Sequence, residues 1–137
     1  MDHILSQWRQ AAARDIKVTE GTPLDYPYGG DPWRFAIYDD SVPAEDRKGT
    51  YFGEPGLVAF LDAFVWSDGV LIAYMRTRDG HEGQGHARRL VQAVYDRWPD
   101  KRIDWGKIMD PKAGKLWEWF REHHPDRGNY GKNWYGR

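Results

Sequence analysis

Residues 78–90 read Arg-Asp-Gly-His-Glu-Gly-Gln-Gly-His-Ala-Arg-Arg-Leu, with three glycines (Gly80, Gly83 and Gly85) within six positions. An apolar run, residues 70–77, precedes the segment and reads as a β-strand. After it, Ala87, Leu90, Val91, Val94 and Trp98 recur at three- and four-residue steps, one face of a helix that must end before Pro99. A glycine-rich turn between strand and helix gathers backbone N–H groups at one spot, and the helix dipole adds partial positive charge there. Such a turn suits an anion, phosphate above all. Arg88 and Arg89 in the first helical turn oppose the dipole unless an anion sits there. The alternative is a solvated loop whose glycines only make the turn.

Other motifs fit less well. His81, Glu82 and His86 suggest a zinc-protease signature, but that chemistry needs two histidines four apart on a helix. Here they are five apart, among glycines that disfavour helix, so no metal site is assigned. A dinucleotide fingerprint is only partly present, and a Walker loop would need Gly-Lys-Ser/Thr. The chain has no cysteine, which excludes disulfides, thiolate ligands and a thiol nucleophile. Twenty basic and twenty-one acidic side chains argue against a dedicated nucleic-acid binder, while a local basic patch stays open. No apolar run approaches a membrane span and the N-terminal stretch lacks a signal core, so a cytoplasmic protein without membrane contact is expected.

Along the chain, residues 2–14 show helical spacing and residues 16–20 and 33–39 read as strands. Residues 41–56 are polar and broken by Pro and Gly, the pattern of a mobile loop. Residues 57–66 and 70–77 form two strong strands joined by a turn at Ser67-Asp68-Gly69. Residues 102–109 read as one further strand, and Pro111 opens a helix that Pro125 closes. This order predicts a single α+β domain with a mixed, mainly antiparallel central sheet flanked by helices. Residues 1–56 supply the N-terminal helix, strands and loop, 57–124 the core, and 125–137 a short tail.

The run Glu82-Gly83-Gln84-Gly85-His86-Ala87, between strand and helix, resembles the phosphate-binding signature of the GNAT superfamily of N-acetyltransferases. The likeness spans residues 57 to about 124, in that family's order of hairpin, helix, strand and helix. It implies acetyl-CoA as donor and a small-molecule or protein amine as acceptor, attacking the thioester directly. The implied cofactor residues are Glu82, Gly83, Gln84, Gly85, His86, Ala87 and Arg88 around the diphosphate, and Met75, Arg76 and Thr77 along the pantetheine arm. The resemblance adds Asp110 and Trp117 on the last helix, and a backbone N–H near Met75 for the thioester oxyanion. Three departures stand out. Glu82 replaces the usual Gln or Arg, Trp117 replaces the tyrosine that protonates the thiolate, and the C-terminal strands are shortened.

An amine acceptor must lose a proton before it attacks. Asp62 interrupts an apolar strand on the face of Phe60 and Phe64, where burial would raise its pKa and suit a base; otherwise that face is solvated, or Asp62 pairs with an arginine. Asp104 is a second carboxylate candidate, and His81 and His86 could act near neutral pH. Tyr74 could donate a proton. The aromatic tail, with Tyr130, Lys132, Trp134, Tyr135 and Arg137, could cover the edge of the core, line an acceptor pocket, form a homodimer contact or stack on bases. Beside the enzyme reading stand a non-catalytic acyl-CoA-binding protein and a modifier of a nucleobase or RNA-linked amine.

Overall fold

A computed structural model describes residues 16–108 and 110–133. The predicted helix over residues 2–14 lies outside them, as do Trp134, Tyr135 and Arg137. The described chain is α+β. Strands β1 (Ile16–Glu20), β2 (Asp31–Tyr38), β3 (Leu57–Val65), β4 (Gly69–Thr77) and β5 (Arg102–Trp105) form one sheet in the order β1-β2-β3-β4-β5. The first four pair antiparallel, and β4 pairs parallel with β5.

Alternation along the strands divides the sheet into two apolar faces. Phe35, Ile37, Ala59, Leu61, Ala63, Val70 and Ile72 face helix α1 (His86–Arg97), whose Leu90, Val91, Val94 and Tyr95 are buried. Each such side chain contributes about 1.5–3 kcal/mol of burial. Trp98 ends α1, its backbone outside the helical region that the following Pro99 disfavours. The opposite face carries Ala36, Leu57 and Phe60, covered by Phe52 from the loop of residues 41–56. That loop is closed on itself, Gly56 N–H donating to the Val42 carbonyl at 2.8 Å, and tied to the end of β4 by Arg78 Nη1, which donates to the Pro43 carbonyl at 2.6 Å.

The segment expected as one strand over residues 102–109 is two. β5 follows β4 as far as Trp105, and Gly106 donates its N–H to the Ile72 carbonyl at 3.1 Å. The chain then leaves β4, and β6 (Lys107–Ile108) pairs parallel with β7 (Lys132–Asn133) from the tail. Helix α2 (Pro111–His123) begins where Asp110 accepts the Lys112 N–H at 2.9 Å, with Pro111 at its first position. It ends ahead of Pro125, which opens a short 3₁₀ turn, Pro125–Arg127.

The tail is held by Asn129, which is 2% exposed and has φ of 57°. Its N–H donates to the Ile103 carbonyl (2.8 Å), and its carbonyl accepts the Trp117 indole N–H (2.9 Å). Its side-chain amide donates to the His124 carbonyl (2.6 Å), while its side-chain oxygen accepts from the Tyr95 hydroxyl. One residue thus ties α1, β5 and α2 together. Asn129→Ala would take away the partners of the buried Tyr95 hydroxyl and of the His124 carbonyl and put alanine at positive φ, so a loss of about 2–4 kcal/mol is expected in urea unfolding.

Candidate functional site

Strand β4 is where the sheet opens. It carries one extra residue, Ala73, between the pairs Asp62↔Tyr74 and Ala63↔Ile72, a bulge that re-aims the following residues. Its pairing with β5 stops at Ile72↔Trp105. Residues 74–77 therefore keep β3 on one side and, among the described residues, have no strand on the other. Beside that free edge lies a cleft of about 900 Å³, lined by Tyr74, Met75, Arg76 and Thr77 of β4, by residues 79–88 in part, and by Asp110, Lys112, Ala113 and Leu116.

The glycine turn closes one end of the cleft. Gly83 and Gly85 have φ of 77° and 79°, a region closed to most side chains, and a Cβ at either would meet nothing within 4 Å. Conformation, rather than crowding, requires glycine here, and the space in front of the backbone is open. Gly85 sits immediately before α1, and its carbonyl accepts the Arg89 N–H at 3.1 Å. Among the described residues no group accepts from the N–H groups of Gly83, Gln84, Gly85, His86, Ala87 or Arg88. No acidic side chain occupies the first turn of α1. These exposed donors at a helix start are what an anion needs.

The side chains around the turn are engaged more locally than the sequence suggests. The Glu82 carboxylate folds back to accept the Gly80 N–H at 2.9 Å, so its charge is held by the turn itself. Gln84 Oε1 lies 3.1 Å from His86 Nε2. Arg88 lines the cleft with its guanidinium 4.0 Å from the centre of the Trp119 ring. The Arg76 guanidinium donates to the Tyr74 hydroxyl at 3.1 Å and covers the Tyr51 ring. Tyr51 leans on Tyr74 with ring centres 5.7 Å apart, and its phenol is held above its ordinary pKa, first by the hydrogen bond to Tyr74.

Burial, then the neighbouring Arg89 and His81 charges, lower the His86 pKa below its ordinary value near 6.5. The shift favours the neutral imidazole, and the backbone N–H groups bring partial positive charge to the turn beside Arg88. Among the described residues no three His, Asp or Glu side chains cluster as a metal ion would require.

Trp117, matched by family resemblance to a cofactor-binding acid, is turned away from the cleft. Its indole N–H is committed to the Asn129 carbonyl, and the ring packs in the core. The row of α2 that reaches the cleft is Lys112, Ala113 and Leu116. Asp110 lines the cleft, but its carboxylate caps α2.

Asp62 is 0% exposed and lies on the Phe60 face, as alternation places it, but it is not among the cleft residues. Arg34 grips it through Nε (2.7 Å) and Nη2 (2.8 Å), and the Tyr26 hydroxyl donates to it at 2.6 Å. Of the readings of Asp62 as a base, a solvated residue or an arginine partner, the arginine pair is the one found, and it is buried. Burial, then the bond to Asp62, raise the Tyr26 pKa far above its ordinary value. Arg34 lies 28 positions away, so no local pattern announced it. Asp104 accepts from Arg102 Nε at 2.8 Å on β5.

No protein-family model matches the chain, and no curated protein matches it.

Two outcomes test this geometry. Asp62→Ala strands the buried Arg34 charge and is expected to cost about 3–5 kcal/mol in urea unfolding. His86 and His124 both have lowered pKa values, so as pH falls the unfolded chain takes up protons first. Their contribution is present above the unfolded value and is lost as pH falls through and below it. The melting temperature should drop from about pH 7.5 to about pH 5.5, and less steeply in His86→Gln.

Proposed function

We propose that this chain is an acetyl-CoA-dependent N-acetyltransferase of the GNAT type, acting on a primary amine. The observation that carries the reading is the conjunction of two features in one cleft. A strand edge is left unpaired beyond a bulge, and a helix start presents a run of amides without acceptors. Acetyl-CoA, when bound, supplies an acetyl group activated as a thioester.

The chain's own groups divide the work. The N–H groups of Gly83, Gln84, Gly85, Ala87 and Arg88 hold the diphosphate through backbone dipoles, with Arg88 adding charge. The free edge at Met75, Arg76 and Thr77 orients an amide-bearing arm by strand-like hydrogen bonding. A backbone N–H near Met75 steadies negative charge on the acyl oxygen. Tyr74, in the cleft and tied to Arg76 and Tyr51, is the proton donor available to a departing thiolate, a role Trp117 does not fill. With Asp62 committed to Arg34, the acceptor ammonium loses its proton to water.

One observation favours a second reading, an acyl-CoA-binding protein without turnover. The α2 row facing the cleft, Lys112, Ala113 and Leu116, carries no hydroxyl. Calorimetry with CoA, alongside thiol release from acetyl-CoA over an amine panel, separates the two. The enzyme reading expects micromolar CoA binding and amine-dependent thiol release, with Arg88→Glu weakening CoA about tenfold or more. Tight CoA binding with no thiol release from any amine would favour the binder. Absence of CoA binding would overturn both.

A further inference from the structure

A second, smaller cavity of about 280 Å³ opens over the sheet face that carries the Arg34–Asp62 pair. Leu24, Leu57 and the Tyr51 ring supply apolar walls, Arg34 lines it as well, and Glu54 stands among its exposed residues. Tyr51 leans on Tyr74, which lines the main cleft, so the walls of the two cavities meet at this tyrosine pair.

The polar groups of this cavity are specific. The Arg34 side chain is only 10% exposed and rests its guanidinium 4.0 Å from the centre of the Phe60 ring. Two of its nitrogens are taken by Asp62, and the remaining Nη1 has no acceptor among the described residues. A hydrogen bond to a charged group contributes about 1.5–3 kcal/mol, so a ligand oxygen that reaches Nη1 would bind with gain. The charge of that oxygen is constrained. Arg34 is already neutralised by Asp62, and Glu54 adds a negative charge held at Oε1 by the Tyr38 hydroxyl at 3.0 Å. A carboxylate would meet two carboxylates against one arginine, whereas a neutral hydroxyl or carbonyl meets no such penalty. Glu54, the outer group, suits an ammonium.

We propose that this cavity seats the body of the amine acceptor, an apolar or aromatic skeleton ending in a neutral oxygen at Arg34, with its amine end toward Glu54 and the tyrosine pair. The catalytic part of this assignment rests on the acetyltransferase reading, while the binding part stands without it. The acceptor class is therefore a small neutral-bodied amine; a free amino acid, whose carboxylate sits on the carbon bearing the amine, would bring that charge against Glu54.

Three probes separate the contributions: 4-hydroxyphenethylamine, phenethylamine without the oxygen, and tyrosine with an added carboxylate. Calorimetry of the full chain without CoA is expected to show 4-hydroxyphenethylamine binding about tenfold or more tighter than either of the others. Leu24→Trp, which fills the cavity from an apolar wall, should abolish that binding and leave CoA affinity unchanged. The exposed substitution Glu54→Lys should weaken it about tenfold or more and serves as the second variant should Leu24→Trp fold poorly. Equal affinity for the three probes, or binding that survives both substitutions, would overturn the assignment. Binding as described with no thiol release from acetyl-CoA leaves the cavity standing and removes the transferase reading. Thiol release with other amines that persists in Leu24→Trp does the reverse.

Discussion

Everything distinctive about this molecule follows from how β4 is paired. On its β3 side the strand is antiparallel along its length, accommodating Ala73 as a bulge. On its β5 side it is parallel and partnered only as far as Ile72. A strand with complete pairing on both sides would present no edge and leave no room for a cleft. The bulge and the departure of the chain at Gly106 occur at the same level, so one re-aims β4 just where the other withdraws its neighbour. The unpaired N–H and C=O groups of residues 74–77 thus form a sheet edge that faces the cleft.

The two faces of the sheet are stabilised differently. Beneath α1 the core is apolar and continuous, and it reaches α2 through Trp105, Trp117 and Phe120. On the other face the sheet buries a charge pair under an aromatic cover, with Tyr26 donating to Asp62 and packing edge-on against Phe64 at 5.1 Å. Such a pair contributes little net stability compared with apolar residues of similar size, although removing one partner is costly. Its retention is easier to understand as geometry, since it holds Arg34 rigid on the floor of a cavity.

Much of the architecture was legible in the sequence. Period-2 alternation put Asp62 on the face of Phe60 and Phe64, and three- and four-residue spacing marked α1 from its start near Ala87 to Pro99. The glycine turn was recognisable because strand, turn and helix signals stood in the right order. Contacts between distant positions were not legible. Arg34 meets Asp62 only because β2 and β3 pair in one register, and a local pattern does not carry that register. The break at Gly106 was hidden because apolar residues on both sides continue the strand pattern, while their pairing partners change from β4 to β7. Trp117 was misplaced by matching a position rather than a helix phase. Leu116 and Trp117 are one residue apart, hence about 100° apart around the axis, enough to put one in the cleft and the other against Asn129.

Helix α1 has one further property that its two ends decide together. At its C-terminal end the Arg127 guanidinium donates to the carbonyls of Tyr95, Trp98 and Lys101, at 3.3, 2.5 and 3.0 Å. The negative pole of the helix is therefore already met by a cation of the protein's own chain. At the other pole no acidic residue occupies the first turn, and the Glu82 carboxylate in the turn before it is spent on Gly80. The helix is thus electrically lopsided in its resting state. Any anion that docks at the glycine turn completes a charge pattern whose other half is built in, and it need displace no internal partner to do so.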